Sequence, residues 1–168
     1  MEFRKSKIED IPRMMEIVRQ AQNYFKSKGI DQWQDGYPNE ENLKNDILLN
    51  ESYVILDNDT IVATTAISFR GESTYNKIYR GKWLSNEEYA VVHRVAVDND
   101  FKGKGISHQI INFAESECKK LGYKSIKIDT HKDNFVMRSM LEKNDFKYCG
   151  IILLEDGAER VAYEKIIL

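Results

Sequence analysis

Cysteine and proline are scarce: the 168 residues hold two of each. Cys118 and Cys149 lie far apart and make neither a disulfide framework nor the paired spacing of a zinc site. Two prolines and nine glycines exclude collagen-like and low-complexity chains. No run approaches the ~18 consecutive apolar residues of a membrane span. The N-terminus, Met1-Glu2-Phe3-Arg4-Lys5, turns charged at once and lacks the apolar stretch of a signal peptide. Neither sign of charge dominates: 25 Lys+Arg against 27 Asp+Glu leave a net charge of -2. That balance argues against a nucleic-acid binder, yet leaves room for a local basic pocket. Hydrophobic residues make up 42% of the chain, and a chain of this length can bury roughly 70% of its unfolded surface. The expectation is one soluble, cytoplasmic domain over residues 1–168, with no membrane, nucleic-acid or metal partner.

Hydrophobic periodicity divides the chain into elements. Ile11, Met14, Met15, Val18, Ala21 and Phe25 recur at helical spacing. A helix is therefore predicted over 10–27, with Asp10 as cap, Pro12 in the tolerant first turn and Gly29 past the end. A second helix is predicted from Asn39, with Glu40 and Glu41 in its first turn and Leu43, Ile47 and Leu48 on its buried face. β-Branched and aromatic residues over 52–56 and 61–69 flank Asp57-Asn58-Asp59-Thr60 and predict a hairpin. Residues 71–87 are polar and irregular and read as an insertion. Tyr89–Val97 is nearly continuous in apolar residues, as in a strand covered on both faces. A helix over 103–121 follows, with Ile106, Ile110, Phe113, Ala114, Cys118 and Leu121 inward and Gly122 past its end. Then come a strand over 125–130, a helix over 134–144, and strands over 146–154 and 160–167. The predicted fold is mixed α/β (α+β): a central, partly parallel sheet flanked by helices in the order β-α-α-β-β-β-α-β-α-β-β.

Chemistry concentrates where the apolar strand meets the next helix, in Val95-Ala96-Val97-Asp98-Asn99-Asp100-Phe101-Lys102-Gly103-Lys104-Gly105-Ile106-Ser107. Glycine lets backbone approach a ligand closely, and the first N–H groups of a helix bind anions. Lys102 and Lys104 add positive charge. A phosphate or pyrophosphate at this turn is the physical expectation; an ordinary strand-to-helix connection is the bland alternative. The Walker pattern fails because Gly105 follows Lys104, and the dinucleotide pattern G-x-G-x-x-G fails at His108.

The same stretch resembles the acetyl-CoA-binding motif of the GCN5-related N-acetyltransferase (GNAT) superfamily, a V-x-V strand end leading to Q/R-x-x-G-x-G/A at a helix start. Val95, Val97 and Asp100-Phe101-Lys102-Gly103-Lys104-Gly105 carry the match. Downstream, Asn134, Met137, Met140, Leu141, Lys143 and Phe146 resemble the family segment N-x-x-A-x-x-L-Y-x-K-x-G-F. The resemblance implies acetyl-CoA as cosubstrate and an amine, on a small molecule or a protein, as acceptor. It implies that Val95, Ala96 and Val97 pair with the pantetheine arm through their backbone. It places the pyrophosphate on the N–H groups of Gly103, Lys104, Gly105, Ile106 and Ser107, beside Lys102. Asn134 would bind the pantetheine region from the other side. Three positions depart from the pattern. Asp100 stands at the Gln/Arg position. Asp145 replaces a glycine, which Asp can do because it tolerates a left-handed backbone. Leu141 stands where many members have a tyrosine that protonates the leaving thiolate.

With no acid at position 141, the histidines become candidates. His93 lies on the central strand, two residues before Val95, and His131 follows the second parallel strand at its carboxyl end, where ligands of open sheets gather. His108 is read as pointing to solvent, and Glu87 and Glu88 compete as bases. Each has a plain structural alternative. Trp33, Gln34 and Tyr37 form the candidate acceptor wall, since binding residues concentrate on loops and the family uses this loop over the acceptor. The alternative is that Trp33 simply anchors the loop. Cys118 and Cys149 read as small core residues. Two functions follow: an acetyl-CoA-dependent N-acetyltransferase, or an acyl-CoA-binding regulatory module that has lost its acid. The sequence leaves the oligomeric state open; the final strands could pair across a homodimer.

Overall fold

The computed structural model describes residues 1–168. Strand β1 (Glu2–Lys5) precedes helices α1 (Ile11–Ser27) and α2 (Glu40–Leu48), then strands β2 (Ser52–Asp57), β3 (Thr60–Ser68) and β4 (Tyr89–Val97). Helix α3 (Ile106–Leu121), strand β5 (Ser125–Thr130), helix α4 (Phe135–Lys143) and strands β6 (Lys147–Leu153) and β7 (Glu159–Ile166) complete the chain. This is the element order read from the sequence. The seven strands are ordered β1-β2-β3-β4-β5-β7-β6. β4 and β5 run parallel, while β1–β2, β2–β3, β5–β7 and β6–β7 are antiparallel. The chain divides into two compact units, Met1–Ile67 with His93–Ser107, and Ser68–Val92 with His108–Leu168, so β4 contributes to both. No helix is long and apolar enough to cross a membrane.

In the first unit, Ile11, Met14, Met15 and Val18 of α1 form a core with Leu43, Val54 and Leu56. Asp10 does not cap α1 as expected. Its carboxylate accepts the Lys7 N–H at 2.7 Å and pairs with Arg4, closing the short 3-10 turn Ile8–Asp10 instead. Helix α2 opens on a reciprocal cap: Asn39 and Asn42 each accept the other's backbone N–H at 2.9 Å. Leu48, expected inside, is 70% exposed, and the inward place belongs to Asp46. At about 100° per residue, Leu48 lies about 140° from buried Leu43, whereas Asp46 lies only about 60° away.

In the second unit, Tyr75, Val91, Ile152 and Ala162 are buried together, with Ile78, Trp83, Tyr89 and Leu154 packed against them. Residues 71–87, read as an irregular insertion, are therefore packed into this core. Trp83 Nε1 donates to the Tyr75 carbonyl at 2.9 Å. Leu84 N–H and the Ser85 hydroxyl donate to the buried Glu164 carboxylate at 2.6 and 2.7 Å. Tyr79 and Ile151 exchange both backbone hydrogen bonds at 2.8 Å. A Cβ at Gly81 would stand 1.9 Å from the Cys149 carbonyl oxygen, and one at Gly150 2.5 Å from that of Tyr79. Backbone meets backbone there, and only glycine fits. Helix α3 starts at Ile106 rather than at 103, and Leu121, expected inside, is 58% exposed at its last position.

Candidate functional site

The turn after β4 is built from Asp98. Its N–H donates to the Val62 carbonyl at 2.8 Å, and its carboxylate accepts the Asp100 N–H at 2.9 Å, which closes a 3-10 turn over Asn99–Phe101. Burial opposes ionisation of Asp98, but hydrogen bonds from Asp100, Gln20 and Arg13 outweigh it and hold the carboxyl below its ordinary value. The chain then turns twice through left-handed backbone, at Gly103 (φ 77°) and Gly105 (φ 76°), before α3 begins. A Cβ at either glycine would meet no atom within 4 Å. Their backbone faces open space at the head of a helix whose first N–H groups lack intrahelical partners. That is the geometry an anion requires. Lys102 lies over the Tyr24 ring, 4.6 Å from its centroid, and Lys104 over Phe101 at the same distance.

Within β4, Val95 and Val97 are half-buried and Ala96 is buried. Arg94 has a left-handed backbone (φ 51°), rare for a long side chain inside a strand. Its guanidinium grips buried Asp46 with two bonds of 2.6 Å and donates a third of 2.6 Å to the Tyr37 hydroxyl. The loop expected to face the acceptor is thus tied down. Tyr37 accepts from Arg94, and the carbonyls of Tyr37 and Pro38 accept from Gln22 Nε2 at 3.1 and 3.2 Å. Gln34 Nε2 donates to the Gln22 carbonyl at 2.9 Å. Trp33 meets the buried Phe25 ring edge-on at 5.7 Å, the anchoring role weighed against binding. The His93 carbonyl accepts the Thr65 hydroxyl at 3.0 Å.

The second unit carries the remaining candidates. Asn134 caps α4: its Oδ1 accepts the Met137 N–H at 3.2 Å, and its Nδ2 donates to Thr130 Oγ1 at 3.2 Å. His131 Nδ1 accepts the Asp133 N–H at 3.0 Å, so the neutral ring carries its proton on Nε2. His131 is therefore arranged as a hydrogen-bond donor. His108 does not simply face water: Nδ1 bonds the Asn144 side chain and Nε2 accepts from Asn112 at 3.2 Å. Glu87 and Glu88 are exposed and precede the amino end of β4, whereas the glycine turn follows its carboxyl end. Leu141 is fully buried, and Asp145 takes the left-handed backbone expected of it (φ 67°). Burial pushes the Cys118 thiol up to about 12 and that of Cys149 to about 11, so neither is a nucleophile near neutral pH.

One pair was not anticipated from the sequence. Tyr75 donates its hydroxyl to Asp129 Oδ2 at 2.6 Å. Burial holds the Asp129 carboxyl above its ordinary value, against the opposing pull of the Tyr75 bond and of Arg160. Burial likewise pushes the Tyr75 hydroxyl well up, so it stays a neutral donor. The ladder from β5 to β4 covers only Ser125, Ile126 and Lys127, whereas that to β7 covers all six residues, including Asp129. The available signal was Asp129 itself, the one carboxylate in the strand Ser125–Thr130.

Residues 13–146 match the model of the Acetyltransferase (GNAT) family. The structure is similar to that of a GNAT-family acetyltransferase from Streptococcus agalactiae, with 31% identity, 98% of this chain and 94% of that chain covered, and a TM-score of 0.89. It is also similar to the PaiA N-acetyltransferase from Thermoplasma acidophilum in complex with coenzyme A (19% identity, 98% of each chain, TM-score 0.73). A ribosomal-protein-alanine N-acetyltransferase from Brucella melitensis is similar as well (16% identity, 99% of each chain, TM-score 0.69). At these last two identities the likeness is one of fold. No curated protein matches the chain in sequence.

Proposed function

Because the chain belongs to the GNAT acetyltransferase family, we propose that it is an acetyl-CoA-dependent N-acetyltransferase acting on a primary amine by direct transfer. The observation that carries this is the open, left-handed backbone of Gly103 and Gly105 at the head of α3. The residues present fit the pyrophosphate: open backbone at Gly103 and Gly105 leads into the first turn of α3, with Lys102 and Lys104 in the same segment. When bound, acetyl-CoA supplies an activated thioester and a thiol leaving group. Val95, Ala96 and Val97 offer strand backbone to the pantetheine arm, and Asn134 offers its side-chain amide. Asp129 takes the proton that the attacking amine must lose, since a carboxyl raised towards working pH is the better base. His131 Nε2–H donates a hydrogen bond to the departing sulfur, which leaves as a thiolate with the pKa of an ordinary thiol, about 8.5, and takes its proton from water; Leu141 offers no such bond.

The fully buried Leu141 favours a second reading, a binding module without turnover. Thermal unfolding with CoA tests the shared premise. Ligand at a hundred times Kd adds about 2.7 kcal/mol of stability, and Gly105→Val abolishes the gain, because a β-branched residue neither adopts φ 76° nor leaves the backbone open. Thiol release from acetyl-CoA with a panel of small and peptide amines then separates the readings. No release with any amine, despite binding, leaves the module.

A further inference from the structure

The glycine turn is held from outside by one stripe of α1. Arg13, Gln20 and Tyr24 are spaced by two helical turns and then one, and so share a face. Arg13 Nη2 donates to Asp98 Oδ2 at 2.8 Å. Gln20 makes two bonds: its Nε2 donates to the same Oδ2 at 3.1 Å, and its Oε1 accepts the Asn99 N–H at 2.7 Å. Tyr24 lies beneath the Lys102 ammonium. All of these partners fall between the end of β4 and Gly103. The stripe does not add charge for an anion, because the Arg13 guanidinium is neutralised by Asp98. It can act only on the shape of the turn.

We propose that Gln20, supported by Arg13 and Tyr24, is a positioning residue that fixes the turn in its anion-binding conformation and so sets affinity for the cosubstrate. A turn with two glycines is otherwise among the most entropically costly segments to order. Ordering it before binding removes that cost from the binding step, and this appears as affinity. Gln20 carries most of the effect because it alone bonds both the Asp98 carboxylate and the backbone of the turn. Arg13 is also committed to the Ile61 carbonyl and to Glu16, so its removal disturbs more than the turn. The inference rests on the acetyl-CoA reading and adds to it a residue that never touches the ligand.

The test compares wild type with Gln20→Met, which keeps length and helix propensity but makes neither bond. Gln20→Glu is the second variant, retaining the acceptor for Asn99 while setting a carboxylate against Asp98. Each is titrated calorimetrically with CoA and with 3′-phosphoadenosine 5′-diphosphate, the fragment that has the pyrophosphate and lacks the pantetheine arm. In Gln20→Met both affinities fall about tenfold, as expected for one or two lost hydrogen bonds. KM for acetyl-CoA rises by the same factor, kcat at saturation holds, and the ligand-free unfolding midpoint stays within a few degrees. Gln20→Glu falls further. Unchanged affinity for both ligands, or a lower kcat at unchanged KM, overturns the proposal. Wild type that binds neither ligand refutes the acetyl-CoA reading itself, and the proposal with it.

Discussion

Asp129 and Tyr75 meet at 2.6 Å although 54 positions separate them, and their bond has a consequence with a definite sign. The Tyr75 hydroxyl stabilises the ionised carboxyl, and burial works against it. Removing the hydroxyl in Tyr75→Phe therefore raises the Asp129 pKa further. A base works only when ionised, so kcat/KM falls as pH drops through that pKa. The expected result is an acid limb displaced to higher pH in Tyr75→Phe, with the plateau retained. In Asp129→Asn the plateau itself falls by about 10²–10⁴-fold, the usual worth of a positioned acid or base. A pH–rate profile settles both, and an acid limb unmoved in Tyr75→Phe counts against Asp129 as the base. Of these residues the sequence exposed only some. Gly103 and Gly105 were legible because the residues that give them meaning, Val95 to Ser107, are chain neighbours. Tyr75 was not legible, because it sits in a polar segment whose burial depends on strands far along the chain.

Helix α2 and strand β4 show the same division at the scale of elements. The start of α2 was legible from Asn39, Glu40 and Glu41, since capping is a local matter. Its inward face was misread, because counting apolar residues assigned Leu48 to the core when the inward position is occupied by a carboxylate. Asp46 is there for Arg94, whose guanidinium it holds in two bonds at the left-handed point of β4. Both side chains are largely withdrawn from water, so removing one partner strands the other. Asp46→Ala is expected to cost about 3–5 kcal/mol in urea unfolding. Adding Arg94→Met to Asp46→Ala should recover part of that loss, since an apolar replacement of both charges removes the stranded one. Additive losses in the double variant contradict the account. Arg94→Met also takes the donor from the Tyr37 hydroxyl, so the loop that carries Tyr37 loosens along with the strand.

At the scale of the whole molecule, alternating periods and one motif were enough for element order and family, while the cover over β5–β7 was invisible. Residues 71–88 contain Lys77, Arg80 and Lys82, three trypsin sites in a stretch whose composition suggests an easy cut. A protease must draw several residues of extended chain into its cleft, and such segments are normally free loops. Here Tyr75 and Trp83 are sunk in an aromatic cluster, Gly81 presses on the Cys149 carbonyl, and Leu84 and Ser85 join Ser125 in donating to the buried Glu164 carboxylate. Nicking at these sites should therefore require the second unit to open, and its rate should rise with denaturant as steeply as unfolding does. A rapid cut between Lys77 and Lys82 in native buffer, with both fragments remaining associated, would be the contrary result. What composition marks as the digestible part of this protein is instead expected to be among the last places a protease can enter.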